Sequence, residues 1–283
     1  MSHARITALT SLAMVAFASN SLLCRAALEH SGIDPASFTT IRLISGALVL
    51  WLIVQMRHTR PGGGGNWLSA MALFVYAAGF SFAYVSLSAS TGALLLFGAV
   101  QATMIGKGLW SGERLQRMQL LGLVLALGGL VGLLSPGLSA PPLSGSLLML
   151  SAGVAWGVYS IRGKGAGDPM KVTAGNFLRA VPVAAVLLLL IQDEMSVDTA
   201  GFWYAVLSGA VASGIGYAIW YAALPMLKVT TAATVQLSVP VLTAIGGIGF
   251  LDESLTLRLV LASAAILGGI GLVILKKQKT GTS

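Results

Sequence analysis

A chain of 283 residues, 56% hydrophobic and only 9% charged, is not a soluble domain, where about a quarter of residues carry charge; it is an integral membrane protein with little soluble mass. The net charge of +8 does not require nucleic acid, because Lys and Arg retained on the cytoplasmic side of a membrane account for it. The single cysteine, Cys24, excludes an intrachain disulfide and any multi-cysteine metal site.

Taken in order, apolar runs long enough to cross a bilayer, which needs about 20 residues, predict ten helices: 5–28, 36–56, 67–88, 91–110, 116–135, 144–162, 171–191, 201–224, 230–250 and 256–276. The first begins like a secretory signal, with Arg5, an apolar run and Ala16-Phe17-Ala18. That apolar run continues to Leu28, so the stretch is read as a membrane helix that stays on the chain. The glycines at 62–65 are not followed by Lys-Ser/Thr and form a flexible linker, not a phosphate loop. Of the 17 Lys and Arg, all but Arg25, Arg42, Arg258 and the intrahelical Arg179 fall on one side when the N-terminus is placed in the cytoplasm. This bias puts both termini inside. It leaves Arg25, Arg42 and Arg258 toward the outer side.

Residues 91–135 and 231–275 align without a gap at an offset of 140, with 11 of 45 positions identical. The matches include Thr91/Thr231, Glu113/Glu253 and Gly128-Gly129/Gly268-Gly269. With ten helices, a shift by five relates a first half, 1–140, to a second, 141–283. Five is odd, so the halves have opposite topology, the inverted repeat of secondary transporters. The expected fold is therefore an all-α membrane protein of ten transmembrane helices in two inverted five-helix repeats. The Gly-Gly pairs are read as close helix packing in preference to a dimer interface, so a monomer is favoured over a homodimer.

Candidate cavity faces also recur in both halves. Phe17, Asn20, Ser21 and Cys24 share a face of helix 1, and Trp156, Tyr159 and Ser160 match them on helix 6. Phe80 and Tyr84 share a face of helix 3, and Tyr217, Trp220 and Tyr221 lie on helix 8. Helix 4 adds Phe97 and Gln101. An unpaired amide such as Asn20 or Gln101 would cost several kcal/mol against lipid, which favours a cavity for the set. The competing reading is ordinary helix packing through polar and small residues. Pro182 and Pro240 are hinge candidates, since each frees backbone groups of its helix.

The segments Thr91-Gly92-Ala93, Gly112-Glu113-Arg114-Leu115 and Leu127-Gly128-Gly129 resemble the EamA-type branch of the drug/metabolite transporter superfamily. Their counterparts Thr231-Ala232-Ala233, Pro240-Val241, Asp252-Glu253-Ser254-Leu255 and Leu267-Gly268-Gly269 do so too, as does Arg42 early in helix 2. Residues 18–28, Ile33-Asp34-Pro35 and 38–43 are most similar to the bacterial aromatic amino-acid exporters of that superfamily. The resemblance implies a central cavity between inverted halves and alternating access. It also implies export from the cytoplasm across the inner membrane of a Gram-negative bacterium.

His3, His30 and His58 sit at helix ends or loops, so no catalytic triad can assemble in the membrane, and no enzyme, cofactor or metal is expected. All nine acidic residues also fall in loops or near helix ends. A cationic drug would require a carboxylate at depth, and so would proton coupling. Facilitated export of aromatic and other large neutral amino acids is the expectation. Efflux of other metabolites or drugs is the alternative, and a lipid-modifying enzyme is a more remote one.

Overall fold

Side-chain caps set the start of most of the helices. Asp34 accepts hydrogen bonds from the Ala36 and Ser37 amides, with Pro35 in the first helical position. Asn66, Ser88, Asp168 and Asp198 cap in the same way. Each such cap contributes about 1 kcal/mol. The computed structural model describes residues 3–57, 64–112, 114–137, 139–163, 167–227 and 229–276.

Among the described residues ten helices are long and apolar enough to span a membrane. They are α1 (His3–His30), α2 (Pro35–Met56), α3 (Trp67–Tyr84), α4 (Ala89–Trp110) and α5 (Arg117–Leu134). The second five are α6 (Leu143–Gly163), α7 (Pro169–Leu190), α8 (Thr199–Met226), α9 (Val229–Gln236 continued by Ser238–Leu251) and α10 (Leu257–Lys276). Three details differ from the sequence expectation. Helix α3 ends at Tyr84 instead of running to 88, because Ser88 is already the cap of α4. Helix α8 widens into a π-helical stretch at Leu207–Ile215. Helix α9 breaks at Leu237, three residues before Pro240. Proline cannot donate to the carbonyl four residues back, that of Gln236, and its ring crowds that carbonyl. By contrast α7 runs through Pro182 without interruption.

The packing is twofold. α5 packs along α10, α2 on α7 and α4 on α9. α3 and α4 pack on α6 as α8 and α9 pack on α1. Every one of these pairs is kept when helix n is exchanged for helix n+5. The ten helices thus form two inverted five-helix repeats. The α5–α10 seam repeats the exchange at residue level. A Cβ on Gly129 would strike Ile266 and the Ala262 carbonyl; one on Gly269 would strike Ala126 and the Gly122 carbonyl. At the offset of 140 these are the same contacts. Gly128 and Gly268 meet nothing within 4 Å, so only the second glycine of each pair serves the packing.

The repeated loop shares its backbone as well. Gly112 (φ 88°) and its counterpart Asp252 (φ 51°) are both left-handed. Glu113 lies outside the described residues, as do residues 58–63, 164–166, 228 and 277–283, with the charges expected there. Glu253 is described. One carboxylate oxygen accepts from the Ala89 amide at 2.5 Å, and the other from the Ser90 hydroxyl and amide at 2.9 and 3.3 Å. Arg25 Nε stands 4.0 Å away. A carboxylate at the positive end of α4 is favourably placed, and it fastens the α9–α10 loop over α4. At the same end of the bundle Asp34 joins the halves: its Oδ2 accepts from the Ser196 amide, and its own amide donates to the Ser196 carbonyl. Partial burial pushes the Asp34 pKa up, but the hydrogen bonds from Ser37, Ser196 and Ala36 outweigh it and hold the carboxyl below its ordinary value.

The opposite end is held by Asn66, which accepts from Arg162 Nη2 at 3.2 Å while its amide donates to Asn176. Arg179 belongs to this end too: it donates to the Gly64 carbonyl at 2.8 Å. Arg179 lies within α7, as expected, and its side chain reaches this end of the bundle.

Candidate functional site

The aromatic faces expected on separate helices meet in one cluster at the junction of the halves. Trp156 on α6 stacks on Tyr159 and on Tyr217 of α8, with centroids 5.2 and 5.6 Å apart and planes 22° apart in both pairs. Phe17 of α1 reaches Tyr217 and Trp220, and Tyr221 stacks on Tyr217. Phe80 meets Tyr84 edge-on at 4.7 Å. A glycine at position 92 leaves the room that the Tyr84 ring occupies. Phe80 and Tyr84 are fully buried, whereas Phe17, Trp156 and Tyr221 keep partial exposure. Phe97 and Gln101 are buried on α4, but among the described residues no ring contact joins Phe97 to the cluster.

Two polar networks run through the rings. In the first, Ser208 in the π-helical stretch donates to Asn20 Oδ1 at 2.6 Å, and Asn20 Nδ2 donates to the Tyr76 hydroxyl at 3.3 Å. Ser21 is buried on the same face of α1, and the Tyr84 hydroxyl donates to the Ala89 carbonyl at 3.2 Å. In the second, Thr173 on α7 accepts from the Tyr159 hydroxyl and donates to Tyr221, while Asn176 donates to Tyr159. Asn176 also accepts from the Asn66 amide, so this network reaches the end of the bundle.

Several members were not marked by sequence reasoning. Tyr76 links the halves through Trp156, at 4.7 Å, and touches Phe80 at 5.5 Å. Its signal was available, since Tyr76, Phe80 and Tyr84 recur every four residues on one helix face. Asn176, Thr173, Phe177 and Ser208 had no such signal. Arg42, noted in the sequence only as a cation toward the outer side and as a family-like residue, is 2% exposed and lies inside the cluster. Its guanidinium stands 4.8 Å from the Phe80 ring centroid and 5.2 Å from that of Tyr76, and Nη2 donates to the Tyr76 hydroxyl at 3.0 Å. Its helix is drawn close to α8 at Gly46 and Gly209, where a Cβ would collide with the facing helix. The backbone of α2 at Arg42 is thereby packed against the second half, while its guanidinium lies against Tyr76 and Phe80 of α3.

Asn20 makes two of the buried bonds between helices, so its loss has a definite cost. Asn20→Leu leaves Ser208 and Tyr76 short of partners, at about 1–3 kcal/mol for each buried group left unsatisfied. The variant is expected to fold with lowered thermal stability and to transport at less than half the parental rate in proteoliposomes. A parental rate would assign Asn20 to packing alone.

The EamA-like transporter family model matches residues 5–135 and again 143–275, once on each half. The chain belongs to the EamA-like transporter family. It is 58% identical over 276 residues to an uncharacterized protein of Pseudomonas aeruginosa, covering 97% of this chain and 96% of that one. It is also 36% identical over 152 residues to the threonine/homoserine exporter RhtA of Salmonella typhimurium. With the Escherichia coli exporter of the same name the identity is 34% over 167 residues. These two alignments span only about half of either chain. A solved crystal structure superposes with a TM-score of 0.68 over 98% of this chain and all of its own, at 19% identity. That likeness shows the fold alone. As a member of this family the protein is a multi-pass membrane transporter.

Proposed function

We propose that this EamA-family transporter exports aromatic and other large neutral amino acids across the bacterial inner membrane. The observation that carries this reading is the ring cluster built from α1, α3, α6 and α8, which spans both halves. Each ring pair contributes about 0.5–1.5 kcal/mol beyond burial, so a substrate ring inserted among them is well held. Such a pocket discriminates weakly between similar apolar side chains, at about 1–3 kcal/mol per methylene, and the range is broad. The halves, divided near residue 140, exchange access around the cluster, with the break before Pro240 as one hinge and Pro182 as a second. Among the described residues no acid belongs to the rings or their polar networks, which supports flux down the substrate gradient without proton coupling. The distant kinship with threonine/homoserine exporters supports amino acids as the substrate class.

Counterflow in proteoliposomes tests this. With labelled phenylalanine inside, external phenylalanine, tryptophan, tyrosine, methionine and leucine are expected to exchange. Glutamate, aspartate, lysine and arginine are not, and an imposed pH gradient should concentrate nothing. Exchange confined to threonine and homoserine, or strong exchange with glutamate or lysine, would refute the proposal. The working unit is taken to be a monomer with both termini in the cytoplasm. Reporters fused after Ser283 and within residues 192–199 should then mark opposite sides of the membrane; the same side for both would overturn that orientation.

A further inference from the structure

Arg42 is a buried cation whose hydrogen-bonding capacity is only partly used. One nitrogen, Nη2, donates to Tyr76; Nε and Nη1 are buried without a partner. Among the described residues no carboxylate forms a salt bridge with it. The acid at that end of the bundle, Glu253, is occupied by Ala89, Ser90 and Arg25. Two ring faces stabilise the charge in part, but they cannot accept from the free N–H groups. A buried charge with open donors, set among aromatic rings, is matched by an anion attached to an apolar or aromatic body.

We propose that Arg42 anchors the carboxylate of the ligand, and that the carboxylate rather than the α-ammonium is what the site selects. The neighbouring acceptors are already engaged: Asn20 Oδ1 by Ser208, and the Tyr76 hydroxyl by Asn20 and Arg42. An ammonium would find no acid there and would add a second positive charge close to the first. Aromatic 2-hydroxy and 2-oxo acids, which keep the ring and the carboxylate and lack the ammonium, are therefore ligands of this site ahead of the corresponding amino acids. This rests on the reading of the ring cluster as the substrate site.

Calorimetry on the purified full-length transporter in detergent, with L-phenylalanine, L-3-phenyllactate and phenethylamine as probes, tests it. The expected result is phenyllactate binding at least as tightly as phenylalanine, with no detectable binding of phenethylamine. Arg42→Gln should weaken both carboxylates by about tenfold or more, the loss of a charged hydrogen bond. Arg42→Lys should recover part of that loss and, by keeping the charge, guards against a variant that merely fails to fold. Phenethylamine binding as tightly as phenylalanine would overturn the proposal, as would unchanged carboxylate affinity in Arg42→Gln; phenylalanine export would survive either result. If phenyllactate binds through Arg42 and phenylalanine does not, the anchor stands and the amino-acid reading falls. No binding by any of the three to the parental protein refutes both.

Discussion

Trp156→Ala is expected to lower phenylalanine counterflow by about tenfold or more while leaving folded protein in the membrane. Trp156 is one of the rings through which the halves touch: it contacts Tyr76 of α3, Tyr159 of its own helix and Tyr217 of α8. Each pair is worth about 0.5–1.5 kcal/mol, and about 1.4 kcal/mol is tenfold in an equilibrium constant. Its removal takes away a stacking face for a substrate ring and frees Tyr159 and Tyr217 to shift. Because Trp156 is only partly buried, the cost to folding is smaller than for a fully enclosed ring. Trp156→Phe keeps a face and should retain most of the flux. Parental flux in the alanine variant, with the protein folded, would remove the ring cluster from the transport path.

The second large effect is expected at Glu253. Replacing it by alanine strips three donors at the start of α4 of their acceptor: the Ala89 amide, the Ser90 amide and the Ser90 hydroxyl. At about 1–3 kcal/mol for each unsatisfied buried donor, the arrangement in which the α9–α10 loop is fastened to α4 loses several kcal/mol. That is enough to move a conformational equilibrium by orders of magnitude. The chain carries its own reporter. Cys24, its single cysteine, is fully buried one residue before Arg25, which stands beside Glu253. Maleimide should label Cys24 slowly in the parental protein and about tenfold or more faster in Glu253→Ala. Glu253→Gln, which keeps an acceptor but not the charge, should fall between. Equal labelling rates in all three would mean that the clamp does not hold this end shut.

Much of this was legible in local pattern. The ten spans follow from apolar length. The seam of α5 and α10 was visible as matched glycines, although the chain does not say which glycine of each pair faces inward. Phe17, Trp156, Tyr159, Tyr217, Trp220 and Tyr221 were found because aromatic residues recur on helical faces in both halves. What escaped was set by tertiary contact. Arg42 lies seven residues into α2, and a rule that assigns cations to sides of the membrane says nothing of its burial, which comes from the close approach of α2 and α8 at Gly46 and Gly209. Ser208 escaped because it sits where α8 is not an α-helix. Counting 100° steps back from Tyr217 misplaces its side chain. The grip of Glu253 on Ala89 and Ser90 joins positions 163 or 164 residues apart, beyond any local pattern.

Among the described residues the π-helical stretch Leu207–Ile215 occurs in one half only; its counterpart helix, α3, is regular from Trp67 to Tyr84. In a carrier that works by the alternating access proposed above, halves interchangeable in every detail would make the two end states degenerate, and the empty protein would wait equally often on either side. A distortion present once lifts that degeneracy. In an uncoupled carrier detailed balance forbids this from creating net uphill flow. It does allow the half-saturating concentrations on the two faces to differ, in proportion to how the empty carrier divides its time. Directionality in such a protein is then a matter of kinetic poise, written into one irregular helix and read out as unequal sensitivity to substrate from within and from without.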